Sequence, residues 1–283
     1  MQPLNMDPLK NSDMESILPQ VLDEDQMKIF EDRKEIDFSA SLKGKGRFRV
    51  NFFNQIKGLA GVFRTIPEVV KDFDDLGIPP VLKNLALLNR GLVLLTGPTG
   101  SGKSTTLAAM VDYINRNQSL HIITLEDPIE FVHKSNKSLI NQREIGSDTQ
   151  SFSRALRAAL RQDPDVVLVG ELRDLETINL ALEVANTGHL VLATLHTASA
   201  ISTIDRIINI FPADEQNQVR SSLADVLKGV VSQTLCKKQG GGRVAAVEVL
   251  VINRAAANMI RKGNTNQLIN VMQSGKANGN QEL

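Results

Sequence analysis

The sequence has no tryptophan, one tyrosine and one cysteine among 283 residues. The lone thiol, Cys236, excludes an internal disulfide and cannot by itself build a multi-thiolate zinc site. Neither sign of charge is in excess, since 32 Lys and Arg stand against 32 Asp and Glu. A balanced chain carries no bulk signal for neutralising a nucleic-acid backbone or an anionic membrane, so nucleic acid is not an expected partner. No apolar run approaches the roughly 18 residues of a membrane-spanning helix. The opening MQPLNMDPLKNSDMES lacks a basic segment leading into an apolar one. These absences fit a reducing cytoplasm, and if the protein works at a membrane it is expected to be recruited there by a partner.

What is present is an ordinary globular composition, 42% hydrophobic and 23% charged, long enough for one large domain or two smaller ones. The first 45 residues are polar and acidic, with a helix expected over 24–35 and a turn at Lys43-Gly44-Lys45-Gly46. RFRVNFFN and LAGVFRTIP predict a hairpin joined through residues 55–58, with Phe48, Val50 and Phe52 on one face and Arg47 and Arg49 on the other. Pro67, Pro79 and Pro80 bracket a connector and place a boundary near residue 80. From Gly91 the texture changes. Short apolar strands at 92–96, 121–125, 165–169 and 190–194 alternate with helices expected over 103–116, 151–161, 175–187 and 212–230. A last strand is expected at 244–250, after Gly240-Gly241-Gly242, then a short helix and a loose tail from 264. The alternation predicts an α/β fold with a mostly parallel sheet covered by helices.

The chemistry begins at Gly97-Pro98-Thr99-Gly100-Ser101-Gly102-Lys103-Ser104, which follows a predicted strand and opens the helix predicted from Lys103 through Thr105 and beyond. That context makes it a phosphate loop. Glycines let successive N–H groups curl around phosphate, the helix N-terminus adds partial positive charge, Lys103 reaches the outer phosphates and Ser104 can ligate Mg2+. ATP and Mg2+ are therefore the expected cofactors. Acids follow at the carboxyl ends of two later strands, where ligands gather in open α/β sheets. They are Glu126, Asp127 and Glu130 after the second strand, and Glu171 after DVVLV, one position later than the usual acid because Gly170 intervenes. His189 and His196 fall at opposite ends of one strand, about 20 Å apart at ~3.3 Å per residue, too far to share a metal. His196, at the carboxyl end, is the one within reach of phosphate.

With RFRVNFFNQ, GVFRTIP, GLVLLTGPTGSGKSTTLAAM, ITLEDPIEFVH, the long run from NQREIG to LHTASA, TIDRIINIFP and SQTLCKKQGGGRVAAVEVL, most of residues 46–250 resembles the secretion-superfamily ATPases of type IV pili and type II secretion. The resemblance implies a RecA-like P-loop core over 81–252, a partial PAS-like α+β domain and linker over 1–80, and a short helical tail over 253–283. It implies Glu130 as general base, Glu171 as the Walker B acid, His189 and His196 as a histidine pair at the nucleotide, Arg49 and Arg64 closing on it, and Arg206 at a subunit boundary. It also implies a homo-oligomer, expected to be a hexamer, working with an inner-membrane pilus platform protein and the pilus machinery. Assembly ATPases of the family carry a four-cysteine zinc element, so one cysteine favours pilus retraction. The alternatives are an assembly, secretion or DNA-translocating motor on the same core, or a nucleotide-dependent scaffold with little hydrolysis. Relative to the family, the chain is expected to begin partway into the first domain and to stop before the final helices. The family's Ala-Ile-Arg-Asn-Leu motif is replaced by Ala255-Ala256-Ala257-Asn258-Met259.

The phosphate-loop reading makes Lys103 the decisive cation. Lys103→Ala should abolish hydrolysis and most ATP affinity in a steady-state phosphate-release and nucleotide-binding assay, and near-normal turnover would contradict it.

Overall fold

Alternating apolar residues draw a three-stranded antiparallel sheet together near the start of the chain, in a computed structural model that describes residues 5–67 and 69–282. Two helices precede it, α1 (Asn11–Val21) and α2 (Glu24–Arg33). Asp23 caps α2 by accepting from the N–H groups of Asp25 and Gln26, while the Gln26 side chain accepts from the Asp23 N–H. Lys34 turns left-handed at φ 64° and stops the helix two residues before the expected end. The chain then enters β1 (Glu35–Leu42), a strand the polar reading of this region did not anticipate. The expected hairpin follows as β2 (Gly46–Gln55) and β3 (Gly58–Ile66), with Arg49 opposite Arg64. Val50 and Phe52 are fully buried and join Leu18, Leu22, Phe30, Ile36 and Phe38 in a small core.

The chain divides into two units, Met1–Glu68 and Val69–Leu283. The division falls before the expected boundary near residue 80, because Phe73, Ile78 and Leu82 are buried in the core of the second unit. That unit opens with two short helices, α3 (Phe73–Leu76) and α4 (Val81–Ala86). Strands and helices then alternate: β4 (Gly91–Thr96), α5 (Lys103–Asn117), β5 (His121–Glu126), β6 (Leu139–Glu144), α6 (Phe152–Ala159), β7 (Val166–Val169), α7 (Leu175–Asn186), β8 (Leu190–Thr194), α8 (Ala200–Asn209) and α9 (Gln216–Val226). The chain finishes with β9 (Leu227–Lys237), β10 (Arg243–Val251), α10 (Arg254–Arg261) and α11 (Leu268–Ser274).

Seven strands form one sheet in the order β10-β9-β4-β8-β7-β5-β6, parallel throughout except for the β9–β10 pair. Every residue of β4, β7 and β8 is buried, as expected for strands covered on both faces. Alternation divides β4 between two cores: Leu92 and Leu94 face one, Val93 and Leu95 the other. Each such side chain contributes about 1.5–3 kcal/mol by leaving water, so β4 is firmly held in the middle of the sheet.

Two expectations fail here. The helix expected to reach 230 ends at Val226, and the β-branched run that follows pairs beside β4, where Gly229 lets Leu85 pack closely; a Cβ there would lie 2.9 Å from Leu85. The tail is not loose either. Ala256, Ile260, Leu268, Val271 and Met272 belong to the main core, and Gln281 exchanges backbone hydrogen bonds with Val249 at 2.8 and 2.9 Å.

Candidate nucleotide site

The carboxyl end of β4 feeds a loop whose glycines adopt conformations other residues resist. Gly97, Gly100 and Gly102 have φ of 139°, 80° and 90°. At Gly97 a side chain is excluded outright, since a Cβ would sit 2.1 Å from the backbone oxygen of Gln233 on β9. Gly102 then opens α5 with no side-chain cap on the helix. The first N–H groups of a helix have no intrahelical partner, so this terminus presents uncapped donors and the positive end of the dipole to an anion. Pro98, Thr99 and Gly100 are exposed, while Ser104 and Thr105 are half-buried on the first turn. The Ser101 hydroxyl is buried without a hydrogen-bond partner.

Lys103 folds back over this loop. Its Nζ donates to Gly97 O at 2.7 Å and Pro98 O at 3.1 Å, and lies 3.4 Å from His196 Nδ1. Burial pushes the ammonium below its ordinary pKa, and the charges of Glu171 and Glu130 oppose that shift. Both predicted acids therefore act on the loop lysine.

Glu171 arrives from the neighbourhood of β7. The glycine before it has a steric cause: a Cβ at Gly170 would be 3.1 Å from Leu125 O and 3.3 Å from the Glu126 Cα, and the Thr194 hydroxyl also donates to Gly170 O. The carboxylate is held from two sides, by Arg173 Nη2 at 2.7 Å and His196 Nε2 at 3.1 Å. Burial pushes Glu171 up, but the Arg173 hydrogen bond and the charges of His196 and Arg173 outweigh it, leaving the group below the usual carboxylate range. His196 thus stands between Lys103 and Glu171. When neutral with its proton on Nε2, the imidazole donates to the carboxylate and accepts from the ammonium; when protonated, it adds its charge to the hold on Glu171.

Glu130 lies on the loop after β5, and β6 anchors that loop. Ile129 N–H donates to Glu144 Oε2 at 3.0 Å, His133 N–H donates to Gln142 Oε1 at 2.7 Å, and Gln142 Nε2 donates to Phe131 O at 2.8 Å. Gln142 Nε2 also reaches Glu126 Oε1 at 3.1 Å, and Thr124 donates to the same oxygen at 2.7 Å. Burial pushes the Glu126 carboxyl up, and these two hydrogen bonds oppose it without cancelling the shift.

Within the second unit, the structure does not bring His189 to this place. His189 sits at the amino end of β8, away from the loop, where its Nδ1 lies 3.0 Å from Val184 O and 3.2 Å from the Thr187 hydroxyl. It is occupied by the end of its own preceding helix and does not join the phosphate site within this chain. Arg206 is exposed on α8. Arg64 is exposed on β3, and Arg49 pairs with Asp37 across the N-terminal sheet at 2.6 Å. The sequence reading also missed several contributors. Arg173 was visible only as a cation two residues after Glu171. Gln142 and Glu144, two apart on β6, matter through an edge strand that had not been expected. Thr96, Thr197 and Thr203 link β4 to α8 through hydroxyl contacts of 2.6 Å, and nothing in their spacing marks them.

Among the described residues no cluster of three or more His, Cys, Asp or Glu could hold a metal. Mg2+ does not require one, because it keeps water and phosphate oxygens and takes only one or two protein ligands. A hydroxyl at Ser104 and a carboxylate at Glu171 suit that donor set. No helix among the described residues is long and apolar enough to cross a membrane.

A glycine loop between a central parallel strand and an uncapped helix, with a loop lysine under the influence of two acids, defines a P-loop ATPase. The chain belongs to the Type II/IV secretion system protein family, which matches residues 14–281. It is 53% identical over 280 residues to the type IV pilus retractation ATPase PilT of Pseudomonas aeruginosa, covering 99% of this chain and 81% of that protein. A twitching motility protein of Neisseria gonorrhoeae is 51% identical over 284 residues, covering 100% of this chain and 76% of the relative. Among solved structures, the pilus retraction motor PilT with bound ADP superposes with a TM-score of 0.89 at 51% identity, covering 93% of this chain and 76% of that one.

The Glu171 pairing gives a pH test. Its depressed folded-state pKa supplies stability that is present above the unfolded carboxylate value and lost as pH falls through the folded value. In Arg173→Met the Glu171 carboxyl should titrate at higher pH, and the stability deficit of the variant should shrink as the solution is acidified through that range. Carboxyl NMR titration with denaturant melts checks this; an unchanged Glu171 titration would show that Arg173 does not hold it.

Proposed function

We propose that this chain is an ATP-hydrolysing motor subunit that powers type IV pilus retraction, the pilin disassembly behind twitching motility. The observation that carries the reading is identity above half, across almost the whole chain, with a protein bearing that activity in its name. The site supports the chemistry. Loop amides and Lys103 bind the outer phosphates of ATP, with Lys103 exchanging its two loop carbonyls for phosphate oxygens. Ser104 and Glu171 are the residues assigned to hold Mg2+, which supplies charge neutralisation at the phosphates when bound. Glu130 is assigned to orient the attacking water and take its proton. His196, lying against both Lys103 and Glu171, couples the phosphate cation to the Walker B acid.

Arg49 and Arg64 in the N-terminal unit and Arg206 on α8 are assigned to closure and to a subunit boundary, in a homo-oligomer that we take to be a hexamer. Arginines acting on phosphoryl-transfer charge can raise rates by ~10³ or more, so a ring that shares them has reason to be the active form. In this reading the ring works from the cytoplasm on an inner-membrane pilus platform protein.

Glu130→Gln and Glu171→Gln keep side-chain size and remove charge, so each should bind ATP within about threefold of the parent while hydrolysis falls at least ~100-fold. In cells lacking their own retraction motor, the parent should restore twitching and both variants should not. Normal turnover by both variants would overturn the acid assignments. A parent that hydrolyses ATP yet never restores retraction would place the motor in another branch of the family.

A further inference from the structure

The phosphate loop is tied to the neighbouring strand by one amide. Gln233 lies on β9, one residue past Ser232, which pairs with Thr96 at the mouth of the loop. It is only 3% exposed, and both ends of its carboxamide are used. Nε2 donates to Ser101 O at 2.7 Å, inside the loop, and Oε1 accepts from the Thr106 hydroxyl at 2.8 Å, on the first turn of α5. Its backbone oxygen closes the space a Cβ would need at Gly97, and its Nε2 would lie 2.8 Å from a Cβ at Gly102. One residue therefore bounds the loop at its entry, its turn and its exit into the helix.

The loop has little else to hold it. Residues 98–100 are exposed and add no apolar burial, and α5 has no side-chain cap. Among the described residues, the other side chain hydrogen-bonded to the loop backbone is Lys103, through Gly97 O and Pro98 O. An ammonium that leaves those carbonyls for phosphate gives up its own hold on the loop. Gln233 does not face that exchange, because its partners are a backbone carbonyl and a buried threonine. The amide is also specific to the task. A glutamate offers two acceptors and would set one against Ser101 O, while a methionine of similar length offers no strong donor.

We infer that Gln233 is a positioning residue for nucleotide binding, holding the phosphate loop in its anion-receiving curl so that Lys103 is free to engage the nucleotide. The inference rests on this loop being the ATP site, which Lys103→Ala tests separately. A clamp that shapes the loop equally for substrate and transition state should act on KM more than on kcat. In the full chain, Gln233→Met and Gln233→Glu should each raise KM for ATP and Kd for a fluorescent ATP analogue at least ~10-fold, with kcat changed less than ~3-fold. Thr106→Val removes the bond at the other end of the carboxamide, the one that the Thr106 hydroxyl donates to Gln233 Oε1, and should move KM in the same direction. Thr106→Ser, which keeps the hydroxyl, should retain most of the affinity lost by Thr106→Val. Leu268→Ala, a cavity in the C-terminal part of the core, controls for a general loss of stability. A Gln233→Met protein with KM within about twofold of the parent would overturn the inference, as would a KM rise that Leu268→Ala reproduces at matched Tm. If Gln233→Met does not fold, Thr106→Val carries the same expectation, and parent-like KM in that variant overturns it.

Discussion

The site depends on keeping a short stretch of backbone curled so that N–H groups of the loop and of the first helical turn can face an anion, with Ser101 N–H already turned onto Pro98 O at 3.2 Å. That shape is costly for a chain, since it needs left-handed glycines and a helix start without a side-chain cap. Here it persists because β4 is buried on both faces and cannot shift, and because α5 begins immediately afterwards with its own packed face. Gln233 and Lys103 close the remaining gap with hydrogen bonds to loop carbonyls. Helix α5 and the sheet are thus the supports of an anion site as much as parts of a core.

The parallel sheet then decides which residues can meet the loop. Strands β8 and β7 follow β4 in the sheet order, and β5 follows β7, so the segments carrying His196, Glu171 and Glu130 leave the same edge as the phosphate loop. The outcome is a contact chain from Lys103 through His196 to Glu171 and Arg173. His196 and Arg173 are exposed, but Lys103 is buried and Glu171 only 19% exposed, so solvent screens these two weakly and each feels the other's charge. Filling the phosphate site would therefore alter the surroundings of the acid that we assign to Mg2+.

The parts most legible in the sequence were those with a repeating physical pattern. The N-terminal hairpin, β4, β5, β7, β8 and the phosphate loop follow from strand alternation, apolar runs and glycine spacing. Strand β1 also alternates, with Ile36 and Phe38 buried between polar neighbours, but its polar setting hid the pattern. Strand β6 was hidden for another reason: LINQRE is an edge strand whose Gln142 and Glu144 serve the loop after β5. Residues 227–230 follow a helical segment without a break, and their pairing with β4 and β10 makes them a strand. Among candidate site residues, Lys103 and Glu171 were legible from strand and loop context. His196 could be separated from His189 by strand direction alone. Gln233 could not be found at all, because its partners lie 127 and 132 residues away in the chain.

The central claim is that Lys103 trades loop carbonyls for nucleotide phosphate while the loop keeps its curl. A structure of the full chain with Mg2+ and a non-hydrolysable ATP analogue tests it most directly. The account predicts Lys103 Nζ on phosphate oxygens, Ser104 and Glu171 on the metal side, and Gln233 still bonded to Ser101 and Thr106. A nucleotide bound elsewhere, with Lys103 remaining on Gly97 O and Pro98 O, would contradict it.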